Sequence, residues 1–184
     1  MKRPFILILA LLLTISSAWT TVNRNIDGYL PWSEERKLSW SDFRGDVNTF
    51  SNADAATAIH ITARPYYYKK RLFYNVEAYF IPEQSWCRSR SERLLDHEQL
   101  HFDIAELYAR KARKKISEYR QMGVRDVKDY NLAVSKILEE SNKFDREYDQ
   151  HTIHGTLSER QLRWAKNVRL EIEMLDQFSR ENWR

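Results

Sequence analysis

At 184 residues the chain is long enough for one domain with a real core, and its 30 basic and 26 acidic side chains are too nearly balanced to single out nucleic acid as a partner. One cysteine, Cys87, excludes an intramolecular disulfide; it reads as a half-buried small hydrophobe. Four glycines and four prolines leave little room for flexible linkers, and no repeat or low-complexity segment stands out.

The chain opens Met1-Lys2-Arg3, continues through the apolar run Phe5 to Leu13, and reaches Ser16-Ser17-Ala18. A basic start, a short apolar stretch and small residues at the cleavage position describe a secretory signal peptide over residues 1–18. The run of about 14 residues is shorter than the ~20 a membrane-spanning helix needs, so an uncleaved anchor is the lesser alternative. Residues 19–184 are then expected as a single domain in an extracytoplasmic space, secreted or periplasmic, with no stable membrane anchor after cleavage. Removing Lys2 and Arg3 from the formal charge of +4 leaves +2.

Residues 19–53 are mixed and turn-rich, with Trp32, Trp40, Phe43 and Phe50 as expected anchors onto the domain. From Ala56 to Phe80 β-branched and aromatic residues dominate, which predicts two or three antiparallel strands with a turn near Lys69-Lys70. Tyr66, Tyr67 and Tyr68 are expected to cover a sheet face. Pro82 ends the strands, and Ser89 with Glu92 reads as a capping box that starts a long helix reaching Tyr119, with Gly123 as its stop. Arg110, Lys111, Arg113, Lys114 and Lys115 read as its solvated flank. A second helix begins after Asp126 and fades at the polar stretch Asp149 to Gly155. Ser158 and Gln161 then cap a third, with Trp164, Val168, Ile172 and Leu175 facing inward. The expected class is α+β: a small antiparallel sheet followed by three helices, zincin-like in carrying its key motif on the first of them.

That motif is His97-Glu98-Gln99-Leu100-His101, the H-E-x-x-H pattern. Two histidines four apart on a helix share one face, where both imidazoles reach one zinc ion, and Glu98 beside the first can take a proton from a water that the metal activates. The bland alternative is a pair of half-buried histidines that bind nothing.

A catalytic zinc needs a third protein ligand. The extended pattern with Gly at 104 and His at 107 is missing, since the chain has Ile104 and Leu107. Asp103 and Glu106 lie about 160° and 140° around the helix from His101 and cannot turn back to the same ion. Donors from elsewhere are His60, or Asp149, His151 and His154 in the stretch after the second helix. His154 is favoured, because a loop leaving one helix beside another can bring an imidazole over it and Gly155 gives the backbone room to turn.

Three separated segments also carry a family resemblance: Leu95 to Lys111, Trp40-Ser41-Asp42-Phe43-Arg44-Gly45, and Tyr148-Asp149 with Thr152, His154 and Gly155. Together they resemble a bacterial family described as predicted secreted zinc-dependent proteases, long catalogued as a domain of unknown function. The resemblance implies a secreted metalloprotease and also favours His154 as the third ligand. His151 departs from it, standing where an acidic residue is expected.

The expectation is therefore a secreted zinc-dependent metallohydrolase, a peptidase acting on a protein or peptide substrate. His97, His101 and His154 would bind Zn2+, Glu98 would be the general base, and Tyr148, or a protonated His151, would stabilise the oxyanion. Asp149 is a candidate acceptor for the free N–H of a ligating histidine. The rival readings are a non-catalytic cell-envelope binding module with a structural or vestigial metal site, and a cell-wall amide hydrolase.

Overall fold

The computed structural model describes residues 28–183, so the signal peptide expected over residues 1–18 lies outside them. The architecture is α+β. Strands β1 (Leu30–Pro31), β3 (Ile59–Tyr68) and β4 (Arg71–Phe80) form one antiparallel sheet in the order β1-β4-β3, while β2 (Ala55–Ala56) and β5 (Trp86–Cys87) form a second, two-stranded one. Three helices follow: α1 (Glu92–Gln121), α2 (Val127–Thr152) and α3 (Ser158–Met174). No helix among the described residues is long and apolar enough to cross a membrane.

The β3–β4 hairpin turns at Lys69-Lys70 as its sequence predicts, with Tyr68 opposite Arg71 and Ile59 opposite Phe80. Alternation then sends Tyr74, Val76, Ala78 and Phe80 to one face. That face is the floor of the core, where Phe80 packs against Phe102 of α1 and Tyr74 stacks on Tyr130 of α2. Burying a side chain the size of Val76 or Phe80 is worth about 1.5–3 kcal/mol, and such contacts hold the first helix down on the sheet.

Several local expectations shift. Helix α1 starts two residues later than the Ser89 cap implies: the N–H groups of Arg88 and Ser89 both donate to Asp54 O, which keeps the chain extended there. Ser91 caps instead, its hydroxyl accepting from Leu94 N. The cap of α3 is Leu157 with no side-chain hydrogen bond, and Gln161 is drawn away into the candidate site. Phe50 is no anchor, being 98% exposed, whereas Trp32 and Phe43 are buried as expected.

The basic flank of α1 is not wholly solvated either. Arg110 and Arg113 are buried and share the buried Glu106 carboxylate, at 3.0 and 2.9 Å. Their remaining donors reach Ile172 O, Val76 O and Phe178 O, so two guanidinium groups tie α1 to α3, β4 and the C-terminal turn. Buried arginines survive only when they are paired in this way. On another side of α1, Asp103 accepts from the Trp32 indole at 2.8 Å and Gln99 from Leu38 N at 2.7 Å, which fastens the N-terminal segment.

Candidate metal centre

Helix α1 places His97 and His101 one turn apart, both buried, with their Nε2 atoms 3.3 Å from each other. The facing surface comes from the last turns of α2. That helix runs on to Thr152, three residues beyond where the sequence reading lets it fade, so Asp145, Tyr148, Asp149 and Thr152 fall on one helical face at three- and four-residue spacing.

Asp149 Oδ1 lies 3.2 Å from His97 Nε2, 3.3 Å from His101 Nε2 and 3.4 Å from His154 Nδ1. It is buried, and none of these nitrogens is placed to make a hydrogen bond with it. His97, His101 and Asp149 form the group of possible metal ligands whose atoms all lie within 4.8 Å of one another. His154 sits beside this group with its side chain 73% exposed.

The outer nitrogens explain why these three atoms converge. His101 Nδ1 is 2.6 Å from Asp145 Oδ1, a pure acceptor, so Nδ1 carries the proton and bonds to it. His97 Nδ1 is 2.7 Å from the hydroxyl of Tyr148, and that hydroxyl donates to Gln161 Oε1 at 2.6 Å, which leaves it an acceptor for His97. With both protons held on the outside, each Nε2 turns a lone pair inward. Two lone pairs and a carboxylate oxygen then face each other at 3.2–3.3 Å, an arrangement that repels itself unless a cation sits between. Tetrahedral zinc with bonds of about 2.0–2.1 Å has ligand–ligand edges of about 3.3–3.4 Å, so the donor set and its spacing fit this ion.

The electrostatics lead the same way. Burial alone would lower the His101 pKa, but the carboxylates of Asp145 and Asp149 outweigh it and raise it to about 10. Burial likewise works to raise the Asp149 pKa, and the imidazoles of His101 and His97 overcome it, holding the carboxyl well below its usual range. The Tyr148 hydroxyl is pushed far up, first by burial, and stays protonated.

The turn after α2 is shaped to reach this centre. Ile153, His154 and Gly155 all have positive φ, at 49°, 49° and 73°. Thr152 staples the turn, its hydroxyl donating to Tyr148 O and accepting from Gly155 N. The Arg93 guanidinium donates to Gly155 O, and Gly155 lies flat against the His97 ring: an added Cβ would stand 2.8 Å from Cγ and 2.9 Å from Nδ1.

Glu98 is buried beside His97 and accepts a hydrogen bond from the Thr57 hydroxyl at 2.7 Å on Oε2. Its Oε1 has no hydrogen bond to the described residues. A cleft of about 680 Å³ runs between the Ser51–Thr57 segment and the two helices, and His97, Glu98, His101, Asp149 and His154 all line it.

Of the sequence-selected residues, His97, Glu98 and His101 line one cleft, while three others stand elsewhere than expected: His154, expected as the third ligand, lies outside the close group, its exposed ring 3.4 Å from Asp149 Oδ1. Tyr148 is fully buried and sits on the Nδ1 side of His97, away from the cleft, where it orients a ligand and cannot meet an oxyanion. Asp149, expected to accept a ligand's N–H, instead presents an oxygen beside both Nε2 atoms. Asp145, Gln161 and Thr57 went unselected; Asp145 lies four residues before Asp149, the spacing that the histidine pair itself uses. His60 is exposed on β3 opposite Tyr79 and takes no part, and His151 packs near Trp164.

No curated protein and no solved structure matches the chain. Over residues 82–155, the segment that carries His97, Glu98, His101, Asp145, Tyr148, Asp149 and His154, it matches the model of the family described as "Bacterial protein of unknown function (DUF922)".

Proposed function

We propose that this protein is a zinc-dependent peptidase that works outside the cytoplasm, with His97, His101 and Asp149 as the protein ligands and Glu98 as general base. One observation carries the reading: three acceptor atoms converge at 3.2–3.3 Å on the wall of a cleft that a glutamate also lines. The N-terminal apolar run supports the location.

Zinc held there supplies a Lewis acid that polarises an amide carbonyl and makes water acidic enough to lose a proton near neutral pH. Glu98 Oε1 takes that proton while Thr57 keeps Oε2 fixed, so one oxygen of the carboxylate is anchored and the other works. The same carboxyl then delivers the proton to the leaving nitrogen. Asp145 and Tyr148 fix the rotation and tautomer of the two imidazoles, so no reorganisation is needed at the moment of reaction. His154, exposed at the mouth beside Asp149, faces the incoming substrate.

The test is hydrolysis of an unstructured protein such as casein. Activity should vanish on chelation and return when zinc is restored. Activity confined to cell-wall peptide fragments would move the reading to a cell-wall amide hydrolase, and none on either substrate would remove the enzyme.

A further inference from the structure

We propose that the tip of the β3–β4 hairpin is a docking element for anionic phospholipid bilayers, independent of the metal centre. Residues 64–71 read Arg-Pro-Tyr-Tyr-Tyr-Lys-Lys-Arg, with four cations and no acid. The whole chain carries 30 basic and 26 acidic groups, so outside this octapeptide the charges balance. Four cations thus stand together at the hairpin tip with no acid among them, a local density that overall composition conceals.

The tip is also aromatic on both of its faces. Tyr66 and Tyr68 pack around Phe73 on one side, Tyr67 points to the other, and the three are 45%, 59% and 67% exposed. A stacking platform for bases would use a single concave face. A convex tip with rings on both sides suits the headgroup layer, where an apolar ring can sink while the phenol and flanking ammonium groups stay with water and phosphate.

The turn itself carries an independent sign. Lys69 and Lys70 both hold positive φ, 47° and 63°, as a two-residue hairpin turn of this hand requires. Asn-Gly meets that requirement with least strain, yet two lysines occupy it. Strain accepted at the tip in return for two charges points to a use for those charges.

Arg120, near the end of α1, stacks its guanidinium on Phe73 at 5.2 Å, which puts the tip roughly 30 Å along the helix from His101. Substitutions in the tip can therefore leave the metal centre untouched.

The experiment is flotation of the full chain with phosphatidylcholine vesicles, with and without phosphatidylglycerol, at low and high salt. The apolar run Phe5–Leu13 is common to every variant, so the component that depends on anionic lipid is the one read. Wild type should show this component, weakened by salt. Lys69→Asn with Lys70→Gly should cut it about 30-fold while raising Tm, because the turn is relieved. Tyr67→Ser with Tyr68→Ser should weaken it as well. No anionic-lipid component, or one unchanged in the lysine variant, would overturn the tip as the site. Equally tight binding to soluble polyphosphate, indifferent to the tyrosine variant, would overturn lipid as the partner in favour of an anionic polymer.

Discussion

Glu98→Gln is expected to fold as wild type, hold its metal, and lose turnover by about 10²–10⁴-fold, the range that a positioned general base supplies. The substitution keeps the size of the side chain and an oxygen to accept the Thr57 hydroxyl, so the contact at 2.7 Å survives. Only the basic carboxylate oxygen is lost. The ligand set is unaltered, because His97, His101 and Asp149 do not depend on Glu98 for their positions. The comparison is kcat for the two proteins at matched metal content, with near-ultraviolet circular dichroism as the check on folding. Equal turnover would make the centre structural and leave the envelope binding module as the better account.

Gly155→Ala should weaken metal binding strongly although it adds a single methyl group. The left-handed backbone costs an L side chain about 1–2 kcal/mol, and the new methyl would stand 2.8–2.9 Å from three atoms of the His97 side chain, an overlap that adds about 1–3 kcal/mol. The ring or the turn has to yield. If the ring moves, its bond to Tyr148 breaks and its Nε2 leaves the ligand triangle; if the turn moves, the Arg93 bond to Gly155 O is lost. Gly123→Ala is the matched control, since Gly123 has φ +74° but nothing within 4 Å of an added Cβ. Thermal unfolding and zinc affinity of the pair should separate backbone strain, shared by both, from the His97 contact, present in one. Similar losses in the two would show that the contact does not matter.

Much of this was readable in the chain because periodicity and turn chemistry are local. The hairpin at Lys69-Lys70, the stop at Gly123 and the Asp126 start of α2 all follow from residues within a few positions of the event. The failures share a different cause, since each was decided by a distant partner. Ser89 lost its capping role to Asp54, Gln161 to Tyr148, and the arginines of α1 left the solvent because Glu106 and three carbonyl oxygens wait for them in the interior.

The same distinction runs through the candidate site. H-E-x-x-H is a one-helix pattern and could be recognised alone. The third ligand depends on how far α2 continues: a helix that fades at Asp149 leaves the choice among Asp149, His151 and His154 open. One that runs to Thr152 puts Asp149 and Asp145 on the face that meets α1. Thr152, in the last turn, donates to Tyr148 O and accepts from Gly155 N, which holds the turn that follows the helix.

The central claim is tested most directly by the zinc content of the purified chain, measured by elemental mass spectrometry for wild type, His101→Ala, Asp149→Ala and His154→Ala side by side. About one zinc per wild-type chain is predicted, with the metal lost in His101→Ala and Asp149→Ala and retained in His154→Ala. A metal-free wild type under non-chelating conditions would contradict the metal centre itself, and loss of zinc in His154→Ala with retention in Asp149→Ala would contradict its third ligand.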